Sequence, residues 1–370
     1  MSAGELVLDV RDEDRTYRFR TADGVCSKSA FRPAELALLE ALHDEPLGDF
    51  LCPEANYGVV GTALTDAADA VRMTESSARA ARLCERNAAA NGASASVSLV
   101  ADLSELDGRF DTAAYAPKPY TPLAVGKERL ARALAQVRPG GYLYVAGRER
   151  TGIGRYADAL RELAPVERLP GECPVFRASR PAGFEPSTYV TPSHIEATVD
   201  GVTLPLVTVP GLFSAGRLDD GTRLLLETAE IGDGERVLDL PCGYGPIGTY
   251  AARVADCDVW LSDDDRAATR CAECTLDAAD VEGTVVTADC ATDVPNEAFD
   301  AVLCNPPTHA GEGVLRDLLG GARGALAPGG RLVLVHHRSL DLSTHLRGFE
   351  NVRERQTGTE HVVREARKER

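Results

Sequence analysis

The sequence predicts an α/β protein made of two tandem domains, each built on a mostly parallel, doubly wound sheet. The first observation is an internal repeat: GVCSKSAFRPAELALLEAL from Gly24 aligns with GLFSAGRLDDGTRLLLETA from Gly211, at an offset of 187 residues. The second is that each half alternates short apolar runs with amphipathic Ala/Leu/Arg segments. This alternation is typical of parallel strands covered by helices on both faces.

The repeat continues through both halves with little change of register. LCPEANYGVVG from Leu51 matches LDLPCGYGPIG from Leu238 without a gap, and FDTAAYAPKPYT from Phe110 matches FDAVLCNPPTHA from Phe299 at an offset of 189. The Pro-rich joint between the copies is typical of a linker. A gene duplication therefore predicts a first domain at 1–180, a linker at 181–200 and a second domain at 201–370.

The elements of the second half follow from the same alternation. Its apolar runs, predicted as strands, are RVLDL, DVWLS, TVVTA, AVLCN and RLVLV. RAATRCAECTLDAAD and EGVLRDLLGGARGAL are predicted as helices between them. Ligands of such sheets bind beyond the carboxyl ends of the strands, so the site is expected there.

Composition describes a soluble globular protein that is expected in the cytoplasm. The chain is 44% hydrophobic and 26% charged, no apolar run approaches the ~18 residues of a membrane span, and the acidic amino terminus lacks the layout of a secretion signal. Ten cysteines include one CxxC pair, Cys271 and Cys274, without the second pair that a zinc site needs. We expect two buried thiols on one helix face and no metal.

The charge balance qualifies which partners are possible. The net charge is −17, and only four of the 40 basic residues are Lys. This pattern favours a halophilic protein, with an ordinary acidic enzyme as the alternative. At ordinary ionic strength such a charge argues against a nucleic-acid partner, whereas at high salt local Arg contacts and shape recognition suffice.

The stretch ERVLDLPCGYGPIGTYAARV predicts a strand, a glycine turn and a helix. Gly243 and Gly245 let backbone approach a ligand closely, and the helix start offers free N–H groups. Asp263 ends the next strand, where a carboxylate suits the two hydroxyls of a ribose. Asp289 ends the third strand. These residues alone leave NAD and S-adenosylmethionine both open.

Asn305-Pro306-Pro307 at the end of the fourth strand distinguishes the two cofactors. Nicotinamide chemistry has no use for this sequence, whereas methyl transfer to a planar amine does. The Asn305 side-chain oxygen and the Pro306 carbonyl can each accept an N–H and orient a weakly nucleophilic nitrogen. The prolines fix the backbone that aims the carbonyl. A plain strand-ending turn is the alternative.

DLPCGYGPIG, Asp263, Asp289 and NPPTH resemble the motifs of class I S-adenosylmethionine-dependent methyltransferases, which have Rossmann-like domains and act here on amino nitrogens. With VPGLFSAGRLDDGTRLLLE and QTGTEHVVREARK, the chain is similar to ribosomal RNA guanine-N2 methyltransferases. That family has a degenerate first copy and a catalytic second copy. The resemblance implies methylation of a guanine N2 in small-subunit rRNA, with rRNA or the small ribosomal subunit as partner.

The resemblance also implies roles for individual residues. It implies cofactor binding by Asp239, Gly243, Gly245, Asp263 and Asp289, catalysis by Asn305 and Pro306, and substrate binding by Phe213, Pro307 and His309. Phe213 could instead pack in the core, and His309 could cap the next helix. Two departures from the family pattern are Pro241, where Gly is usual, and Thr308, where an aromatic residue usually stacks on the base.

The first half keeps its glycines but lacks the side chains predicted to contact the cofactor and the target amine. Cys52 matches Asp239, and Ala116-Pro117-Lys118 match Asn305-Pro306-Pro307. We expect this copy to fold without catalysing. Lys118, Tyr115 and Tyr120 suit RNA contact there, and a solvent-exposed loop without a partner is the alternative. For the whole chain, the alternatives are a methyltransferase acting on a protein glutamine or adenine N6, and a non-catalytic RNA-binding or assembly factor.

Overall fold

A computed structural model describes residues 4–10 and 15–370 of the chain. These residues form two compact units that divide between Thr191 and Pro192. Each unit combines an antiparallel strand pair, a seven-stranded sheet and flanking helices. The tandem α/β architecture predicted from the internal repeat is therefore confirmed.

The first unit begins with an antiparallel strand pair and continues as an alternating α/β domain. Its strands are β1 (Gly4–Val10), β2 (Arg15–Thr21), β3 (Gly48–Cys52), β4 (Ala68–Glu75), β5 (Ala95–Leu99), β6 (Phe110–Tyr115), β7 (Val137–Ala146), β8 (Val166–Leu169) and β9 (Val175–Ser179). Its helices are α1 (Pro33–Leu42), α2 (Val59–Ala63), α3 (Ala78–Ala90), α4 (Leu123–Gln136) and α5 (Ile153–Leu163). The sheet order is β5-β4-β3-β6-β7-β9-β8.

The second unit repeats this plan. Its strands are β10 (Ser193–Val199), β11 (Val202–Thr208), β12 (Arg236–Asp239), β13 (Asp258–Asp263), β14 (Thr284–Thr287), β15 (Phe299–Cys304), β16 (Leu326–His337), β17 (Glu350–Thr357) and β18 (His361–Arg367). Its helices are α6 (Asp220–Thr228), α7 (Pro246–Val254), α8 (Arg266–Ala279) and α9 (Glu312–Ala325). The order β14-β13-β12-β15-β16-β18-β17 matches that of the first unit, strand for strand.

Strands β12 to β16 are the five apolar runs of the sequence, and they pair in parallel. The central strand β15 is buried from Ala301 to Cys304, as expected for a strand covered on both faces. The order of the strands along the sheet reverses between β12 and β15, whose carboxyl ends lie side by side. That edge is the switch point where doubly wound sheets bind ligands.

Two details differ from the sequence expectations. Part of the stretch predicted as a linker, residues 181–200, forms β10, because its alternating side chains pair with β11 and bury Ala197 and Val199. Cys271 is buried on α8 as expected, but Cys274 is exposed, so the expectation of two buried thiols is wrong. Within the described residues, no helix is long and apolar enough to cross a membrane.

Candidate active site of the second unit

The turn between β12 and α7 leaves room for a ligand at one of its two glycines. Gly243 and Gly245 both have positive φ, 55° and 87°. A Cβ on Gly243 would meet no heavy atom within 4 Å, whereas a Cβ on Gly245 would lie 3.1 Å from atoms of Leu261 and Ala272. Gly243 therefore faces open space, and Gly245 allows α7 to pack closely on the sheet and α8.

Asp239, the last residue of β12, carries a buried carboxylate with an oxygen that can accept a further hydrogen bond. Its Oδ2 accepts the backbone N–H of Gly248 at 2.8 Å, whereas its fully buried Oδ1 has no partner in the described part of the chain. Burial raises the pKa of this carboxyl well above its ordinary value. Because buried polar atoms are rarely left unpaired, this oxygen marks a position for a ligand's polar group.

Asp263 connects the end of β13 to the glycine turn. One carboxylate oxygen accepts the N–H of Gly243 at 2.8 Å, and the other accepts that of Asp265 at 2.9 Å. Burial raises the pKa of Asp263 to about 7, although these two hydrogen bonds oppose the shift. Each oxygen retains a lone pair that can accept a hydroxyl.

Asp289 lies beyond the next strand end, as the sequence predicts. The N–H of Ala288 donates to the Asp263 carbonyl at 2.9 Å, which brings the chain after β14 beside the end of β13. The Asp289 residue is half-buried there. The ends of β12, β13 and β14 thus present three carboxylates along one edge of the sheet.

Asn305 follows β15 and has a defined orientation. Its Nδ2 lies 3.1 Å from Asp219 Oδ2 and 2.9 Å from Thr222 Oγ1. Because an ionised carboxylate only accepts hydrogen bonds, the amide nitrogen must face Asp219. The Asn305 Oδ1 consequently points away from α6 and can accept a donor from a ligand. Sequence reasoning missed Thr222, because a hydroxyl residue in the first turn of a helix is common.

The register of the sheet brings Asn305 beside the glycine turn. Asp239 pairs with Leu303 across β12 and β15, two residues before Asn305. Adjacent strands lie about 4.8 Å apart, so both strand ends can contact one ligand. Pro306 is buried, whereas Pro307 is exposed. The residues predicted to orient an amine and those predicted to bind a cofactor are therefore neighbours.

The segment before α6 presents Phe213 to solvent. The Phe213 side chain is 69% exposed, so the alternative that it packs in the core is wrong. The buried Tyr244 of the glycine turn donates its hydroxyl towards the carbonyls of Ser214 and Arg217, at 3.3 and 3.2 Å. Tyr244 thereby holds the segment that carries Phe213. It was missed because an aromatic residue between two glycines has no assigned role in the turn pattern.

His309 is exposed beyond the prolines. The alternative that His309 is the N-cap of the next helix is wrong, because Gly311 is the N-cap residue of α9. Among residues 4–10 and 15–370, no group of three or more His, Cys, Asp or Glu side chains could hold a metal ion.

The first unit keeps a strand-end carboxylate that the repeat alignment overlooked. Glu75 ends β4 as Asp263 ends β13. Each accepts the backbone N–H of the turn after the preceding strand, from Asn56 and Gly243 respectively. A constant offset of 187 places Asp263 opposite Ser76 instead, so a one-residue difference in length hid the match.

Lys118 is buried rather than available to RNA, which corrects the sequence expectation. Its Nζ lies 3.0 Å from both carboxylate oxygens of Glu75 and 3.9 Å from Glu54. Burial lowers the pKa of Lys118, but the charges of Glu75 and Glu54 outweigh it and raise that pKa overall. Tyr115 is also fully buried and donates its hydroxyl to Glu54 at 2.8 Å, whereas Tyr120 is exposed.

Comparison with known proteins identifies the class of protein. The model of the methyltransferase small domain family matches residues 16–166 and 203–365, which fall in the first and second units. The fold and the strand-end site thus define a methyltransferase with two related domains.

Individual relatives identify the family more closely. Ribosomal RNA small subunit methyltransferase C of Hahella chejuensis is 33% identical over 263 residues, covering 68% of this chain and 76% of that protein. Its counterpart in Pseudomonas aeruginosa strain UCBPP-PA14 is 32% identical over 249 residues, covering 63% and 73%. The chain belongs to the ribosomal RNA small subunit methyltransferase C family, which confirms the resemblance inferred from the sequence.

A solved structure matches the chain over nearly its full length. The Thermus thermophilus 16S rRNA N2 G1207 methyltransferase, determined in complex with AdoMet and guanosine, superposes with a TM-score of 0.79 at 26% identity. The match covers 99% of this chain and 98% of that one. Both tandem units are therefore common to the two proteins.

Proposed function

We propose that this chain transfers a methyl group from S-adenosylmethionine to the exocyclic N2 of a guanine in small-subunit rRNA. The observation that carries the proposal is the fixed Asn305 amide, whose oxygen is free to accept a donor beside the glycine turn. The relatives act on small-subunit rRNA by name, which favours guanine over adenine N6 or a protein glutamine. The enzyme works in the cytoplasm, where rRNA is available.

The residues at the strand ends fit S-adenosylmethionine, which supplies an electrophilic methyl group on a sulfonium. The unpaired Asp239 Oδ1 and the open side of Gly243 bind its methionine end. The remaining lone pairs of the Asp263 carboxylate accept the ribose hydroxyls. Asp289, at the next strand end, binds the adenine amino group. Gly245 contributes through packing of α7 rather than by contact.

Asn305 and Pro306 orient the target amine. The lone pair of guanine N2 is delocalised into the ring, so the amine is a weak nucleophile. Two acceptors, Asn305 Oδ1 and the Pro306 carbonyl, bind its two N–H groups and aim the nitrogen at the methyl donor. Positioning and local electrostatics of this kind lower the barrier without a strong base. As the bond from N2 to the methyl forms, the bond from the methyl to sulfur breaks, S-adenosylhomocysteine leaves as the thioether, and one proton of the methylated amine passes to water.

The RNA reaches this site only with its target base unpaired or flipped out, because N2 inside a helix is inaccessible to a buried donor. Phe213, exposed beside the turn, offers a stacking surface that compensates for Thr308. Pro307 and His309, which are also exposed, contact the RNA. The partner is rRNA, free or within the small ribosomal subunit.

Methylation of purified substrates tests the proposal. We expect label from S-adenosylmethionine to enter stripped small-subunit rRNA or isolated small subunits in molar KCl, and nucleoside digestion to yield N2-methylguanosine. Large-subunit rRNA serves as the control. Label recovered only as N6-methyladenosine, or only in ribosomal protein, would contradict the assignment of the target.

The first unit does not bind the cofactor in this proposal, and it supports the second. At its strand ends a cavity of about 30 Å³ is lined by residues that include Glu54, Glu75 and Asp102, and another of about 120 Å³ lies beside Pro117, Lys118 and Ala146. Small-molecule sites usually offer about 300–1,000 Å³. Lys118 Nζ hydrogen-bonds both oxygens of the Glu75 carboxylate, which is the equivalent of Asp263. The exposed Tyr120 remains available for RNA contact.

Cofactor affinity is expected to depend on pH through Asp263, whose pKa is raised to about 7. Above pH 7 the carboxylate is ionised and accepts both ribose hydroxyls; below pH 7 it is protonated and loses acceptor capacity. The dissociation constant for S-adenosylmethionine should therefore rise as pH falls from 8 to 6, by at most about tenfold per unit.

Calorimetric titration at several pH values measures this dependence and the number of sites, for which one per chain is expected. Besides burial, the charges of Asp265 and Asp264 help to raise the pKa of Asp263, and burial raises the pKa of the neighbouring Asp239. Asp263→Asn separates their contribution: it should bind more weakly and without the slope. If the slope persists in Asp263→Asn, Asp263 is not its source.

A further inference from the structure

We propose that Asp219 and Thr222 are positioning residues that set the orientation of the Asn305 amide; this inference rests on the proposed function. Within the described residues neither side chain hydrogen-bonds the glycine turn, although burial and the charge of Asp219 together raise the pKa of Tyr244 there. They act through Asn305, and their effect is on the acceptor that Asn305 presents to the target amine.

The contacts show how the orientation is held. Asn305 Nδ2 carries two N–H groups, and it has two acceptors, Asp219 Oδ2 at 3.1 Å and Thr222 Oγ1 at 2.9 Å. Asp219 is itself fixed, because it is the N-cap of α6 and the same Oδ2 accepts the backbone N–H of Thr222 at 2.8 Å. Thr222 is buried on the first turn of the helix. Both donors of the amide are thus used within the protein.

Asp219 determines the direction of the amide, whereas Thr222 only anchors it. The terminal torsion of an Asn side chain is broad and roughly two-fold, so an unrestrained amide could turn over. In the inverted orientation Oδ1 would face the Asp219 carboxylate, and an NH₂ group would face the target amine. Two oxygen acceptors repel each other, so the carboxylate excludes this orientation. A Thr hydroxyl donates and accepts equally well and cannot exclude it.

The duplicated unit supports a common role for these three residues. By the repeat, Asn305 matches Ala116, Asp219 matches Arg32, and Thr222 matches Glu35. In the first unit Arg32 donates to the carbonyl of Ala116 at 2.9 Å and pairs with Glu35 at 2.9 Å. The first unit therefore lacks the Asn and also has other residues at both positions that accept its hydrogen bonds in the second unit.

The same comparison indicates that the fold does not require this pair. Helix α1 begins at Pro33 after Arg32, without an Asp or Thr at the matched positions, yet it occupies the equivalent place in its unit. A purely structural role for the helix start is thus fulfilled by other residues. What Asp219 and Thr222 add is a pair of acceptors directed at Asn305.

Four variants test the inference by steady-state methylation of rRNA. Asp219→Asn still caps α6, since Asn is as good an N-cap as Asp, but it can present either oxygen or NH₂ to Asn305. We expect its kcat to fall about 10- to 100-fold, with KM for rRNA and the affinity for S-adenosylmethionine within about threefold of wild type. Thr222→Val should lower kcat about 3- to 10-fold, and Thr222→Ser should restore it.

Asp220→Asn is the matched control, because it removes the same charge from the same helix start. Asp220 is exposed and pairs with Arg217 rather than with Asn305. This variant should keep kcat within about twofold of wild type. A general electrostatic effect would instead lower kcat equally in Asp219→Asn and Asp220→Asn, which would overturn the inference.

The outcomes distinguish failure of the positioning role of Asp219 and Thr222 from failure of the proposed function. If the wild type forms N2-methylguanosine and Asp219→Asn retains its kcat, the positioning role is overturned and the proposed function stands. If Asp219→Asn only lowers the melting temperature while kcat per folded molecule is unchanged, the pair is structural and the inference again fails. A wild type that forms no N2-methylguanosine overturns the proposed function.

Discussion

Replacing Asn305 with alanine is expected to lower kcat for rRNA methylation by about 10²–10³-fold, the usual cost of removing one acceptor or donor that acts on the reacting centre. The affinity for S-adenosylmethionine should stay within about twofold of wild type. Asn305 hydrogen-bonds Asp219 and Thr222 and has no hydrogen bond to Asp239 or Asp263 in the described structure. Loss of the amide therefore removes the acceptor without disturbing the cofactor turn.

Calorimetry and steady-state kinetics on the same preparations measure both quantities. Asn296→Ala is the matched control, because Asn296 is exposed and precedes the amino end of β15, at the opposite end of the strand from Asn305. It should leave both quantities unchanged. Equal losses of cofactor affinity and turnover in Asn305→Ala would mean that Asn305 supports the cofactor site, and its assignment to the target amine would be wrong.

The second large effect is expected on stability. Lys118→Met should destabilise the protein by about 3–5 kcal/mol, because it leaves a buried carboxylate without its counter-charge. Glu75 is fully buried and has both oxygens 3.0 Å from Lys118 Nζ. For units of this size the loss corresponds to a decrease in melting temperature on the order of 10 °C.

Thermal unfolding monitored by circular dichroism or calorimetry tests this expectation. Lys28→Met is the control, since the Lys28 side chain is 54% exposed and its ion pair with Asp23 lies at the surface. The double variant Lys118→Met/Glu75→Gln should recover part of the loss, because it removes both charges together. A Lys118→Met protein as stable as the wild type would show that the Lys118–Glu75 ion pair does not contribute this stability.

The architecture could be predicted because the two halves of the duplicated sequence show the same order of strands and helices, so each half supports the assignment of the other. Strands β12 to β16 appeared as uniform apolar runs, and their carboxyl ends located Asp239, Asp263 and Asn305 correctly. The antiparallel strand β18 was less apparent, since its polar residues alternate with Val and Ala in HVVREAR. Alternation on a partly exposed sheet is weaker evidence than a fully apolar run.

The interior of the first unit could not be predicted in the same way. A lysine next to two prolines at a strand end is normally exposed, and its burial depends on Glu75, 43 residues earlier in the chain. Because the constant offset aligns Asp263 with Ser76, the sequence comparison did not identify Glu75 as the equivalent carboxylate. Thr222 was overlooked for a related reason, because its function appears only once Asn305 is seen to point at it.

The burial of Lys118 at the strand ends of the first unit also affects which substitutions that unit can accept. Removing Lys118 alone would leave the buried Glu75 carboxylate without this cation, and removing Glu75 alone would leave the buried ammonium with the more distant Glu54, at 3.9 Å. Ala116 and Cys52 would each need separate reversion as well. Regaining the strand-end groups of the second unit would therefore require several substitutions together, and the first of them would cost stability.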